Sequence, residues 1–163
     1  MPELFTPLRL GSLEVRNRLV RSATGEGAAD PDTGCPTPAM AAFYRRLAAG
    51  GAGLVITGHT AVRPEGRCHR GMTACTSAAF VPAFRGLVQA CHAGGAAVVC
   101  QLNHGGRQVD TSHPGIVAVG PSREVFAGAV RRPQRELGQA EIEDLVKAFA
   151  QAAVWCREAG FDG

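Results

Sequence analysis

The sequence predicts an α/β protein, part of a (β/α)8 barrel with an N-terminal β-hairpin and about three βα units, the barrel not closed by this chain. Three observations predict it. Short apolar runs bounded by glycine, at 19–24, 53–57 and 96–102, alternate with longer stretches of helical periodicity. Each helix-to-strand link is a mere glycine pair, Gly50-Gly51 and then Gly94-Gly95, whereas the strand-to-helix links 25–36, 58–77 and 103–138 are long and polar. Barrels put their chemistry in the loops that follow the strands, so this asymmetry favours a barrel. A doubly wound nucleotide-binding sheet needs a Gly-rich phosphate loop after its first strand. That position holds Thr24-Gly25-Glu26-Gly27-Ala28-Ala29, which lacks the third glycine and sets a carboxylate where a phosphate would lie.

Each element has its own signal. Leu4, Phe5, Leu8 and Leu10, a turn at Gly11-Ser12, then Leu13 and Val15 read as a small hairpin. Leu19 to Thr24 reads as the first strand. Thr37 is suited to cap a helix that opens with Pro38. Met40, Phe43, Tyr44 and Leu47 recur at helical spacing, and Tyr44 reads as core. Gly53 to Thr57 looks like a strand buried on both faces. A helix from about Ala78 to Ala93 carries Phe84, Leu87, Val88 and Cys91 on one face, with Pro82 near its start. Ala96 to Leu102 is the third strand. The last helix starts near Gln139, with Gly138 as cap and Glu141 at the third position; its expected apolar stripe is Ile142, Leu145, Val146, Phe149, Ala153 and Cys156. Gly160 stops it, and Phe161-Asp162-Gly163 begins another strand.

Composition excludes more than it proves. Apolar residues at 45% and charged residues at 19% describe a globular chain, with no apolar window long enough to span a membrane. The net charge of +3 argues for neither nucleic acid nor an anionic membrane. Arg131, Arg132 and Arg135, followed by Glu136, read as a solvated loop. The six cysteines show no CxxC pair, and Met1 to Asn17 reads as folded chain, not a leader; together these favour a reducing cytoplasm and free thiols. Cys100 and Cys156 sit in apolar runs as small core residues. Cys68-His69 with Cys75 matches no common zinc spacing, so no metal is expected.

The strand ends supply the candidate site residues: Ala23-Thr24-Gly25, Gly58-His59, and Gln101 with Asn103 and His104. Gln101 reads two ways. Its amide both donates and accepts, which suits the edge of a planar heterocycle, and it equally suits a backbone group. His104 before Gly105-Gly106-Arg107 reads as a structural loop histidine or as part of a substrate loop. His59 could serve as a base, with no partner identifiable from sequence.

Beyond these residues the chain resembles a known family. Leu4-Phe5-Thr6-Pro7-Leu8, Asn17-Arg18-Leu19-Val20-Arg21-Ser22-Ala23-Thr24, Gly51 to Gly58, Gln101-Leu102-Asn103-His104-Gly105-Gly106-Arg107, Pro121-Ser122 and Ala159-Gly160-Phe161-Asp162-Gly163 occur in the order seen in the old yellow enzyme family of NADH:flavin oxidoreductases. The Arg-Ser-Ala-Thr form of the first motif is similar to a bacterial branch. The resemblance implies an FMN-binding barrel in which NAD(P)H reduces the flavin and the reduced flavin gives hydride to an activated alkene such as an enone. Carried over by position, Ser22, Ala23, Thr24 and Gly25 lie along the flavin, Gln101 bonds its pyrimidine edge, and His59 lies near the ring. Two residues depart from the pattern. Gly25 stands where the family often has a Thr or Cys that tunes the flavin, and His59 is bulkier than the usual Gly or Ala.

The resemblance also implies an absence. The His/His or His/Asn pair that binds the substrate carbonyl falls just after Phe-Asp-Gly in the family, and this sequence ends at Gly163. Residues 1–163 are thus expected to be the N-terminal portion of one FMN-binding domain, with no catalytic residue in the chain and only loose hold on FMN. A barrel takes about 250 residues. The expected partners are a small α,β-unsaturated carbonyl compound and a possible second copy, with no nucleic acid and no membrane. The alternative is a non-catalytic partial-barrel remnant that associates with a partner chain.

Overall fold

The computed structural model describes residues 3–123 and 134–163. The hairpin forms as expected, from β1 (Leu8–Leu10) and antiparallel β2 (Leu13–Val15). The central sheet is parallel, in the order β3 (Val20–Arg21), β4 (Leu54–Ile56) and β7 (Ala97–Val99). Its register pairs Val20 with Leu54 and Leu54 with Ala97. Residues 161–163, expected to begin another strand, form none but run beside β7: Asp162 N donates to Val98 O at 3.0 Å, and Cys100 N donates to Gly163 O at 3.0 Å. The Asp162 carboxylate accepts from Val98 N and meets His92 Nε2, both at 2.8 Å, and so fastens this segment beside β7.

The loop expected at 58–77 and the end of the third strand are more ordered than the sequence suggested. Both strands kink and resume. After the kink at 57–59 comes β5 (Thr60–Ala61), and after the kink at 100–101 comes β8 (Leu102–Asn103). With β6 (Thr73–Ala74) they make a second parallel sheet, β6-β5-β8. The run 96–102 is therefore two strands, not one. Its continuous apolar pattern hid the break, because both pieces are at least partly buried. In the loop after β8, β9 (Val119–Gly120) pairs in parallel with β10 (Arg135–Glu136). Arg131 and Arg132, read as solvated loop, lie outside the described residues. Arg135 makes two 2.7 Å bonds to Glu141, across the start of the last helix.

Helix α1 (Pro38–Ala49) is capped as its sequence requires, Thr37 Oγ1 accepting from Met40 N at 3.3 Å. Met40, Tyr44 and Ala48 are buried. Helix α2 (Val81–Ala93), entered through a 3-10 turn at Ala78–Phe80, buries Phe84, Leu87, Val88 and Cys91. Phe84, Leu87 and Val88 each contribute about 1.5–3 kcal/mol by leaving water. These faces pack on Val55 and Val98 of the sheet, and Phe84 meets Phe161 edge to face at 5.8 Å. Helix α3 (Gln139–Ala159) starts at Gly138, whose N donates to Glu141 Oε2 at 2.8 Å. It ends at Gly160, which takes the left-handed conformation (φ +98°) that closes a helix.

The stripe expected on α3 is corrected. Its buried residues are Ala152, Cys156 and Ala159, while Ile142, Val146 and Phe149 are 40%, 64% and 36% exposed. The helix packs on α2 and the core through its C-terminal half, where Arg85 Nη2 donates to Glu158 O at 3.0 Å. The periodicity of the first half is real, but among the described residues that face is open to solvent. Cys156 is core and Cys100 packs against it; all six cysteines are free thiols. No described helix is long and apolar enough to cross a membrane.

Candidate functional site

The predicted site residues meet where the first sheet kinks into the second. Gln101 N donates to Thr57 Oγ1 at 3.2 Å, and Gln101 O accepts from Thr60 N at 2.8 Å. These bonds hold the two kinks, 57–59 and 100–101, side by side. With its main chain so engaged, the exposed Gln101 needs its side-chain amide for no structural bond to these neighbours. Ser22 to Gly25 runs beyond β3 along the same edge, with Ser22, Thr24 and Gly25 exposed. Thr24 Oγ1 donates to Ser22 O at 3.3 Å, and the Arg21 guanidinium bonds the Ser22 carbonyl. A Cβ on Gly25 would lie 3.7 Å from His59 Nε2 and 3.8 Å from His69 Nε2. Gly25 and His59 are therefore neighbours across 34 residues of sequence.

Three participants were not legible in the sequence. Glu26 turns inward, its side chain 7% exposed, and accepts from the Tyr44 hydroxyl and from Gly58 N at 3.2 Å. Arg21 Nη2 stands 3.6 Å from the same carboxylate. Tyr44 is core as expected, yet its hydroxyl is a second partner of Gly58 N, at 3.0 Å. Burial first, and then the bond to Glu26, raise its pKa far above the usual phenol value. Gly58 cannot carry a side chain here. Its Cβ would run into the Glu26 carboxylate and sit 2.8 Å from Thr24 O. Glu26, Tyr44 and Gly58 thus form a latch joining the loop after β3 to the end of β4.

His69 is the third. It lies 3.4 Å from His59, Nε2 to Nε2, and its Nδ1 bonds Arg70 O at 2.8 Å. Asn103 Nδ2 lies 3.2 Å from His59 Nδ1. His59, for which the sequence named no partner, has two. Burial and the adjacent His69 lower its pKa, so the ring is neutral near pH 7. His69 also lines an open pocket of about 360 Å³, together with Arg67, Arg70, Asp32 and His113 among others. His104 takes its structural role: Nδ1 accepts from Gly106 N at 3.1 Å, and burial lowers its pKa. The described residues hold no group of three or more His, Cys, Asp or Glu that could bind a metal ion.

A parallel strand-helix repeat with its polar residues gathered at the C-terminal ends of the strands defines a barrel-type α/β enzyme scaffold. The chain belongs to the NADH:flavin oxidoreductase / NADH oxidase family, whose model matches residues 3–163. It is 35% identical over 163 residues to a metal reductase of Desulforamulus reducens, covering all of this chain and 24% of that protein. It is 35% identical to an NADPH dehydrogenase of Listeria welshimeri, covering 99% of this chain and 47% of that protein. Among solved structures it superposes on an old yellow enzyme homologue from Zymomonas mobilis with a TM-score of 0.88 and 32% identity, covering 99% of this chain and 47% of that one. The chain spans between about a quarter and a half of the length of these relatives. The expected family and barrel class are both correct.

Proposed function

We propose that residues 1–163 form the flavin-facing N-terminal portion of an FMN-dependent NAD(P)H oxidoreductase acting on activated alkenes, with an α,β-unsaturated carbonyl compound as substrate. The observation that carries this reading is the convergence of Ser22 to Gly25, His59 and Gln101 on one edge of the parallel sheet, in a chain of this family. The donor set fits a flavin. Gln101 offers an amide for the alternating donors and acceptors of a pyrimidine edge, and the largely exposed Ser22–Gly25 stretch carries only small side chains beside it. The chemistry supplied by bound FMN is hydride transfer from NAD(P)H to the alkene β-carbon. This chain's part is to orient the ring and set hydrogen bonds at its edge; the site residues Ser22, Ala23, Thr24, Gly25, His59 and Gln101 do that work.

The test is titration of FMN into the chain, followed by flavin fluorescence, with Gln101→Ala beside it. Saturable binding is expected, weakened by Gln101→Ala, with the flavin lost on gel filtration. Failure to saturate at millimolar FMN, or equal binding by Gln101→Ala, overturns the reading. A second reading rests on exposed apolar surface: Val20 on edge strand β3 is 51% exposed, and the α3 face adds Ile142, Val146 and Phe149. On that reading the chain is a non-catalytic partial barrel that completes itself with a partner chain. Concentration-dependent association in sedimentation velocity, without flavin binding, selects it.

A further inference from the structure

His59, His69 and Asn103 form a chain of hydrogen bonds whose proton positions follow from its two ends. A backbone carbonyl only accepts, so His69 Nδ1, 2.8 Å from Arg70 O, carries the proton. In the Nδ1–H tautomer His69 presents a bare lone pair on Nε2. His59 must turn an Nε2–H toward it, across 3.4 Å, which leaves His59 Nδ1 as an acceptor. The Asn103 amide, 3.2 Å away, donates to that Nδ1. Register reinforces the arrangement, because β5 pairs Ala61, two residues beyond His59, with Asn103. Groups that do not titrate near neutrality, Arg70 O and the Asn103 amide, thus hold His59 as its Nε2–H tautomer from both ends.

The dyad has an open side. Both Nε2 atoms lie within 3.8 Å of the place a Cβ on Gly25 would occupy, and residue 25 has no side chain to fill the space beyond. At 3.4 Å the internal bond is longer than the 2.7–3.2 Å of a good N–H···O bond. A carbonyl oxygen seated over Gly25 is therefore a better acceptor for His59 Nε2–H than the His69 nitrogen it now faces.

We propose that His59 donates an Nε2–H hydrogen bond to a carbonyl oxygen of a ligand seated over Gly25, with His69 and Asn103 as the residues that position it. The inference rests on the flavin reading, in which that oxygen belongs to the isoalloxazine ring. His69 is not among the candidate site residues read from the sequence, and Asn103 appears there only as a strand-end residue with no role.

The experiment labels the histidines with 15N and follows their ring nitrogens by long-range 1H–15N spectra as FMN is added to millimolar concentration. His59 is expected to be the Nε2–H tautomer without FMN, and its Nε2 signal to move on binding while His92 stays still. His59→Ala should weaken FMN binding by about two- to tenfold, the range of one neutral hydrogen bond. His69→Ala should leave His59 as a mixture of tautomers, a change that a merely structural role would not produce. If FMN binds, and Gln101→Ala weakens it, but His59 does not respond, the flavin reading stands and the dyad proposal falls. If neither the ring signals nor Gln101→Ala shows FMN binding, both fall. An Nδ1–H tautomer at His59 also overturns the proposal.

Discussion

Removing the Tyr44 hydroxyl should cost this chain more stability than its single oxygen suggests. The hydroxyl donates to the Glu26 carboxylate, whose side chain is only 7% exposed, and it accepts from Gly58 N at 3.0 Å. Tyr44→Phe keeps the ring and its packing but strips a buried carboxylate of its strongest donor. Glu26 is then left with Gly58 N at 3.2 Å and the Arg21 guanidinium at 3.6 Å. A hydrogen bond to a charged group is worth about 1.5–3 kcal/mol. At ~2–4 °C per kcal/mol for a chain of this size, the thermal midpoint should fall by roughly 3–12 °C. Urea unfolding followed by circular dichroism measures the free energy directly. The double variant with Glu26→Gln separates the pair from its surroundings, and a coupling of at least about 1 kcal/mol is expected for groups in direct contact. A Tyr44→Phe change under about 0.5 kcal/mol, or no coupling, would show that the latch does not hold these loops together.

Three further outcomes follow from the same geometry. Gly58→Ala should destabilise the chain and weaken any ligand binding at the strand ends, since the new methyl collides with the Glu26 carboxylate; a variant with wild-type urea midpoint and unchanged binding contradicts this. Stability should fall as the pH drops from about 7 toward 5. His59 and His104 both have lowered folded-state pKa values, so the unfolded chain binds more protons below its ordinary histidine pKa of about 6.5, and the stabilisation present above that pH is lost as pH falls. A flat thermal midpoint across that range, or recovery of none of the loss in the His59→Ala and His104→Ala variants, would count against it. Cys75, Cys91 and Cys156 are buried, and burial with the nearby Asp162 pushes the Cys91 thiol up to about 12. A thiol reagent should therefore titrate no more than three of the six cysteines in the native chain and all six in denaturant.

Elements set by local chemistry were legible from residue types alone. Thr37-Pro38, the glycine pairs after α1 and α2, and Glu141 three residues past Gly138 each act within one turn of chain. Gly25, Gln101 and His59 stand out in the sequence as candidates because strand ends are where a barrel keeps its site. The parts missed depend on contacts across long sequence separations. Glu26 reads as a loop carboxylate until the fold brings it to Tyr44 and Gly58, 18 and 32 residues away. His69 lies between cysteines whose spacing fits no zinc site, and its neighbour His59, ten residues back, shares no linear motif with it. The α3 stripe failed for a related reason. Periodicity tells which face of a helix is apolar, not what covers it.

On the proposed flavin reading, the edge formed by residues 22–25, 57–59, 69 and 101–103 faces the isoalloxazine ring. A backbone amide map of the 15N-labelled chain, recorded with and without millimolar FMN, tests it most directly. The shifts are expected to cluster on those segments and to shrink in Gln101→Ala. Shifts confined to the outer faces of α1 and α2, or none at all, would contradict it.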